Sequence, residues 1–459
     1  MTAPVLVACL VVTALEMPVA PTGSLEGRPT DQERSPLQAR IDAAAARSVV
    51  VVEAGTYDGD LYVDRPLTLK GQGRPLLSGS GRGSVVRIRA AGVILEGFDI
   101  DGRGGGDLGR DASGVHVAAF DAVIRDCRIQ NTLFGIYLRA ADGARLEGNV
   151  IRGDAGKEPG EKGSGLHVFD TTGFALVDND IALTRDGIYI QSSANGVVRG
   201  NTTREVRYGL HYMYSDDNQF EDNRFEDTDA GAVLMYSRRI VLRRNQIMHN
   251  RGFASVGLLF KACDDSVAED NLIADNARGI FLEGSYRNVL RRNVIAEADA
   301  AIVLYDSCGA NEISGNVFLG NLSPLYLVGR RTDTVFAGNY WSENDEPDLD
   351  GDGHSDRPYV LSSLFDHLRG NLTAADLMAQ SLAARALAAA ERSFPVLAVS
   401  TVRDPAPLTR PPRLDAVPRP GKGGGGPSAT NLGAALALVL GGAWILAPGG
   451  RRRARRRAP

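Results

Sequence analysis

The chain has 459 residues, enough for several ordinary domains or for one extended repeat. A formal net charge of −5 gives no global pull toward nucleic acid, so a nucleic-acid partner is not expected. The 53 glycines lack the strict period of collagen, four cysteines do not make a disulfide framework, and 6% aromatic content argues against a dense aromatic core.

Residues 1–21 carry an apolar run from Val5 to Leu15, broken by Glu16 and followed by Pro18, Ala20 and Pro21. The run is too short to span a bilayer and reads as a signal-like leader, which places the remainder outside the cytoplasm. Leu6-Val7-Ala8-Cys9 is a faint lipoprotein box with too little leader before it. Residues Leu37 to Arg47 suit a short capping helix, and Val49 to Tyr57 with Leu67-Thr68-Leu69 suit the first turns of a repeat.

From there the chain repeats itself. Segments of the form small-apolar-x-apolar open at Gly114, Gly135, Gly165, Gly187, Gly209, Gly231, Gly257, Gly279, Ala301 and Pro324, with a usual step of about 22 residues. Insertions fall at Gly153–Gly163 and Met248–Ser255. About 14 residues after each opening stands an asparagine: Asn149, Asn179, Asn201, Asn223, Asn245, Asn271 and Asn293, then Asn316 and Asn339 one place later. Cys127 takes the equivalent place in the first of these repeats.

A unit of short alternating strands cannot bury its apolar face alone, so the units must stack. At the inter-strand spacing, equivalent residues lie directly above one another, and an asparagine in one turn can bond the next. The fold expected for residues 37–345 is therefore an all-β, right-handed parallel β-helix with an Asn ladder. Cys263 and Cys308 then lie two repeats apart, roughly 9–10 Å, too far for a disulfide, so the thiols are expected to stay free.

Within each opening the second and fourth residues are steadily apolar and point inward, so the third and fifth point outward. The outward columns read Tyr137, His167, Tyr189, His211, Val233 and Arg139, Phe169, Gln191, Met213, Met235, Lys261. Only six methionines occur in the chain, and two of them share this column. Thioether and imidazole are soft-to-borderline ligands that suit Cu(I), which makes His211, Met213 and Met235 a candidate transient copper site. The same pattern also reads as a patch that docks another protein, comprising His167, Tyr189, Tyr214, Tyr236 and Lys261, with Met248 and His249 on a neighbouring insertion. Plain surface is the third reading, and the residues alone leave all three open.

Residues 346–395 should hold an Asp-rich loop and a capping or docking helix. In the loop, Asp348, Asp350, Asp352 and Asp356 alternate with turn glycines in the manner of a calcium loop, but Tyr359 stands where the usual glutamate would be. The helix, over Asn371 to Arg392, has Thr373 as its N-cap candidate. Residues 396–428 are rich in Pro, Gly and Arg and read as a linker. Residues 429–450 read as a transmembrane anchor, and 451–459, with six arginines, as a basic tail on the cytoplasmic side. Acidic residues on outward strands (Asp170, Glu283, Asp306) do not share a column, and Asp216 and Asp217 lie on a turn, so a carbohydrate-binding or carbohydrate-cleaving β-helix is the alternative rather than the leading reading.

The segments Gly163 to Thr171, Arg185 to Ser193, Tyr208 to Asn218, Leu234 to Arg239 and Asn339-Tyr340-Trp341 resemble the NosD family, the periplasmic β-helical component of nitrous-oxide reductase maturation. The resemblance spans roughly Ala43 to Ala390 and leaves the C-terminal anchor and arginine block outside it. It implies a non-enzymatic protein that works with an ABC-type ATPase and its permease, a copper-chaperone lipoprotein and nitrous-oxide reductase. On that view the face around His211, Met213 and Met235 receives the chaperone or its copper.

Overall fold

The computed structural model describes residues 35–105, 112–252, 255–361 and 402–418, with isolated positions between 362 and 401. The leader, the expected C-terminal anchor and the basic tail lie outside the described residues, as does nearly all of the expected helix over 371–392. Among the described residues, no helix is long and apolar enough to cross a membrane.

The chain winds into a parallel β-solenoid of about 13 turns and right-handed type. Each coil supplies one strand to each of three sheets. The first sheet has 13 strands, from Val49–Val52 to Val335–Ala337, and the second has 13, from Thr56–Asp58 to Tyr340–Trp341. The third has 12, from Leu61–Val63 to Leu325–Val328. Strands pair in register with their equivalents in the next coil, so the interior consists of stacked columns such as Leu176, Val198, Phe220 and Leu242. Each fully buried aliphatic rung contributes about 1.5–3 kcal/mol.

The corner between the first two sheets shows why the period carries asparagine. Asn201 Oδ1 accepts from the backbone N–H of Asn179 at 3.0 Å and from its Nδ2 at 2.9 Å. Asn201 Nδ2 in turn donates to Leu176 O at 2.9 Å and to Asn223 Oδ1 at 3.0 Å. One short amide thus satisfies backbone groups that the turn removes from the strand ladder. The ladder begins at Cys127, whose N–H donates to Asn149 Oδ1, and runs through Asn339. A corner after the third sheet carries a smaller series in which the N–H groups of Thr171, Ser193, Ser215 and Cys263 donate to the hydroxyl of the next coil. Cys263 and Cys308 occupy rungs of that series on either side of Ser285, two coils apart, and both are free thiols, as is Cys127.

Both ends of the core are closed. Helix Pro36–Ala43, capped by Ser35 and started by Pro36, buries Leu37 and Ile41 over the first coil. At the other end, Val402 to Pro418, inside the span whose composition reads as a linker, lies against the solenoid. Arg403–Asp404 pairs antiparallel with Tyr359–Val360. Asp404 takes the next place in the Asn ladder, accepting from Asn339 N–H and Nδ2 at 2.9 Å each and from Trp341 Nε1 at 3.2 Å. Leu414 and Val417 pack on Leu272, Ala274, Val294, Ala296 and Val317 of the second sheet. A carboxylate and two apolar side chains anchor a segment whose overall composition suggests none.

Candidate functional site

The outward columns of the third sheet fall as the alternation requires. Tyr137, His167, Tyr189, His211 and Val233 are successive register partners, and so are Phe169, Gln191, Met213, Met235 and Lys261. The first column also runs one coil further back, to His116. The opening Gly114-Val115-His116-Val117 carried that signal, since its imidazole stands at the third place like the others.

Facing outward is not the same as being exposed. Rings stacked at the coil spacing shield one another: His116–Tyr137, Tyr137–His167, His167–Tyr189 and Tyr189–His211 centroids lie 5.3, 4.5, 4.6 and 4.8 Å apart. Met235 is only 4% exposed, packed with Val233, Ala230 and Val256, while Met213 is half-buried beside it. The Tyr189 hydroxyl lies 2.6 Å from Gln191 Oε1 and 3.4 Å from Met213 Sδ. Lys261 continues the column, its Nζ 3.3 Å from Glu283, its register partner in the next coil.

His211 is held by two residues that sequence reasoning did not single out. Asp186, just ahead of the preceding opening at Gly187 and 3% exposed, has Oδ2 at 3.1 Å from His211 Nδ1. Arg207, from the coil of His211 itself, grips both oxygens of Asp186 at 2.9 and 2.8 Å. Burial alone would raise the Asp186 carboxyl, but the hydrogen bond and charge of His211, and then those of Arg207, hold it well below the usual carboxylate range. An ionised Asp186 accepts from Nδ1–H, which leaves Nε2 as the ring nitrogen that the carboxylate does not engage. Tyr208 closes the other side, its ring centroid 5.1 Å from His211 and 4.2 Å from the Arg207 guanidinium. An imidazole whose Nδ1 is engaged by a buried carboxylate, next to two stacked thioethers, is a donor set that fits a soft cation such as Cu(I).

Tyr214 and Tyr236 follow the two methionines directly. They are exposed, stacked with centroids 5.0 Å apart, and both in the left-handed backbone region at φ 52° and 53°. Bulky aromatic residues rarely sit there, and equivalent turns use Ala262 or Gly284. Met248 and His249 lie elsewhere. Met248 is on the second sheet, 1% exposed and packed with Leu272 and Ala274, so it offers no docking surface. His249 has Nδ1 2.8 Å from Asp275 and lines a groove of about 380 Å³ together with Lys162, Glu205, Arg207, Asp229 and Arg251.

In the acidic loop, ligand oxygens of Asp348, Asp350 and Asp352 lie within 4.8 Å of one another, and Asp356 is not among them. Each carboxylate already accepts from loop amides: Asp348 from Gly351 and Gly353, Asp350 from Asp352, Asp352 from His354, and Asp356 from Leu349. These bonds account for the alternating aspartates as a turn scaffold.

A parallel β-solenoid with an imidazole and thioether face is the class that this geometry defines. A family model described as "Periplasmic copper-binding protein (NosD)" matches residues 148–346. The "Probable ABC transporter binding protein NosD" of Pseudomonas aeruginosa is 30% identical over 385 residues, covering 80% of this chain and 89% of that protein. The protein of the same description from Stutzerimonas stutzeri is 30% identical over 379 residues, covering 78% and 86%. The chain belongs to the NosD family. Among solved structures, the A-module of an Azotobacter vinelandii mannuronan C-5 epimerase superposes with a TM-score of 0.56 at 15% identity, covering 65% of this chain and 93% of the module. A Yersinia enterocolitica family 28 exopolygalacturonase gives 0.50 at 11% identity, covering 68% and 75%. At such identities the likeness shows the shared fold alone.

Proposed function

We propose that this chain is a periplasmic, non-enzymatic accessory protein for maturation of the copper centre of nitrous-oxide reductase. It works with an ABC-type ATPase and permease, and it accepts Cu(I) from a copper-chaperone lipoprotein at His211, Met213 and Met235. The observation that carries the reading is the register of Met213 on Met235 beside an imidazole whose Nδ1 is engaged by a buried carboxylate. The exposed Tyr214–Tyr236 stack adjoining the methionines is the contact surface for the chaperone, together with the half-buried Lys261 and His167. ATP is hydrolysed by the partner on the cytoplasmic side, and the C-terminal segment 429–450 tethers this chain to the membrane.

The test is a Cu(I) competition titration of the full chain beside Met213→Ala/Met235→Ala. Wild type should bind the ion, and the double variant should bind at least tenfold more weakly while melting as a folded protein. Wild type that takes up no Cu(I) would reject the site as an autonomous acceptor.

A further inference from the structure

The first sheet carries two outward columns, at the first and third places of its three-residue strands, because the middle residue is buried. Around strand Ala175–Val177 the third-place column is charged. It reads Lys70, Glu96, Arg125 and Glu147 in the coils before Val177. It continues as Arg199, Glu221, Arg243 and Glu269 in the coils after it. The sign changes from coil to coil on either side, so neighbours within the chain attract. Lys70 Nζ lies 3.3 Å from Glu96, and Arg243 Nε lies 2.5 Å from Glu269.

Pairing inside the chain explains the alternation but not its phase. The alternation skips one place, at Val177, and resumes with Arg199 rather than with an acid. The column is therefore antisymmetric about Val177. Counted outward in both directions, Glu147 answers Arg199, Arg125 answers Glu221, Glu96 answers Arg243 and Lys70 answers Glu269. The first-place column beside it is mostly apolar and centred on Ala175. Ile94 and Val241 stand three coils out on either side, and Thr68 and Val267 four coils out, while Arg145 and Gln219 interrupt the run. Val197, next to Ala175, is 36% exposed.

We propose that the outer face of the first sheet is a homodimer interface, on which a second copy of this chain packs face to face about a two-fold axis along strand Ala175–Val177. An isologous contact of this kind keeps the strand direction and reverses the order of the coils. Each residue then meets the one equally far on the other side of Val177, which sets every charge of the column opposite its complement. A residue on the axis faces its own copy, and a charge there would meet a like charge. Val177 and Ala175, which occupy the axis, are uncharged. Nine coils span roughly 40 Å, and with the flanking corners the two copies would bury roughly 1,000 Å² in total, the lower end for a specific interface. The dimer is accordingly reversible and weakened by salt. Its face is separate from the third sheet, which carries His211 and Met213.

Sedimentation equilibrium of the full chain in density-matched detergent reads the mass against concentration, and the chain should pass reversibly from monomer to dimer. Val177→Asp sets two carboxylates against each other on the axis. It should weaken dimerisation at least tenfold while melting as a folded protein, whereas Thr202→Asp, on the outer face of the second sheet, should not weaken it. Val177→Cys tests the register. Under mild oxidation it should cross-link to its own copy well beyond the wild-type background, since Cys127, Cys263 and Cys308 are buried. A chain that stays monomeric at every concentration, a dimer that Val177→Asp leaves intact, or a Val177→Cys variant that cross-links no more than wild type overturns the interface.

Discussion

Asp186 shows how much one carboxylate can settle when it is almost out of water. It neutralises Arg207 and accepts the Nδ1–H hydrogen bond of His211. Breaking a buried ion pair leaves the remaining charge desolvated, so Asp186→Asn should lower stability by about 3 kcal/mol at pH 7 in a urea melt. The folded carboxyl lies below its unfolded value of about 3.9, so this contribution is present above that value and is lost as pH falls through the folded one. The gap between wild type and variant should therefore narrow as melts are taken below about pH 4. A gap that stays constant would mean that Asp186 acts by packing rather than by charge. The residue was not legible beforehand because an acid just ahead of an opening reads as surface. Only the position of Arg207, ahead of the next opening, brings a cation onto it.

At the scale of the coil, the ladder carries the period. Asn223 Oδ1 accepts from Asn201 N–H, and its Nδ2 donates to Val198 O. Asn223→Ala removes both partners in a corner that water does not reach, which should cost about 3 kcal/mol, read as a drop in thermal midpoint. A substitution of an exposed strand residue such as Gln219→Ala should change it little. This ladder was readable from the sequence because it repeats an uncommon residue in phase with the openings. The serine, threonine and cysteine series at the other corner was not, since small residues recur throughout the chain and no single type marks the rung. The outward columns were placed correctly by alternation, but their burial was not. Alternation fixes which way a side chain points, whereas the stacking that covers Tyr189 and the aliphatic packing that covers Met235 depend on which neighbours occupy the adjacent coils.

At the scale of the whole molecule, a solenoid is nearly one-dimensional, so its stability is a sum of coils and interfaces and its weak points are its ends. Helix Pro36–Ala43 covers one end, where the sequence over Leu37 to Arg47 suits a short capping helix before the first strand. The strap from Val402 to Pro418 covers the other, and it was not, because it occurs once, has no period and is built from linker-type residues. Its hold on the second sheet rests on Leu414 and Val417 over a face that would otherwise present Leu272, Val294 and Val317 to water. Leu414→Asp puts a charge into that contact and should cost about 3 kcal/mol. Because contacts pass only between neighbouring coils, the damage should stay local. Hydrogen exchange should accelerate first around Asn316, Asn339 and Trp341, where Asp404 closes the ladder, and remain slow in the coils of His211 and Met235. Cu(I) affinity should then match wild type. Exchange rising evenly along the chain, or copper binding falling with it, would show that the solenoid opens as one unit and that the strap governs the distant face as well as its own end.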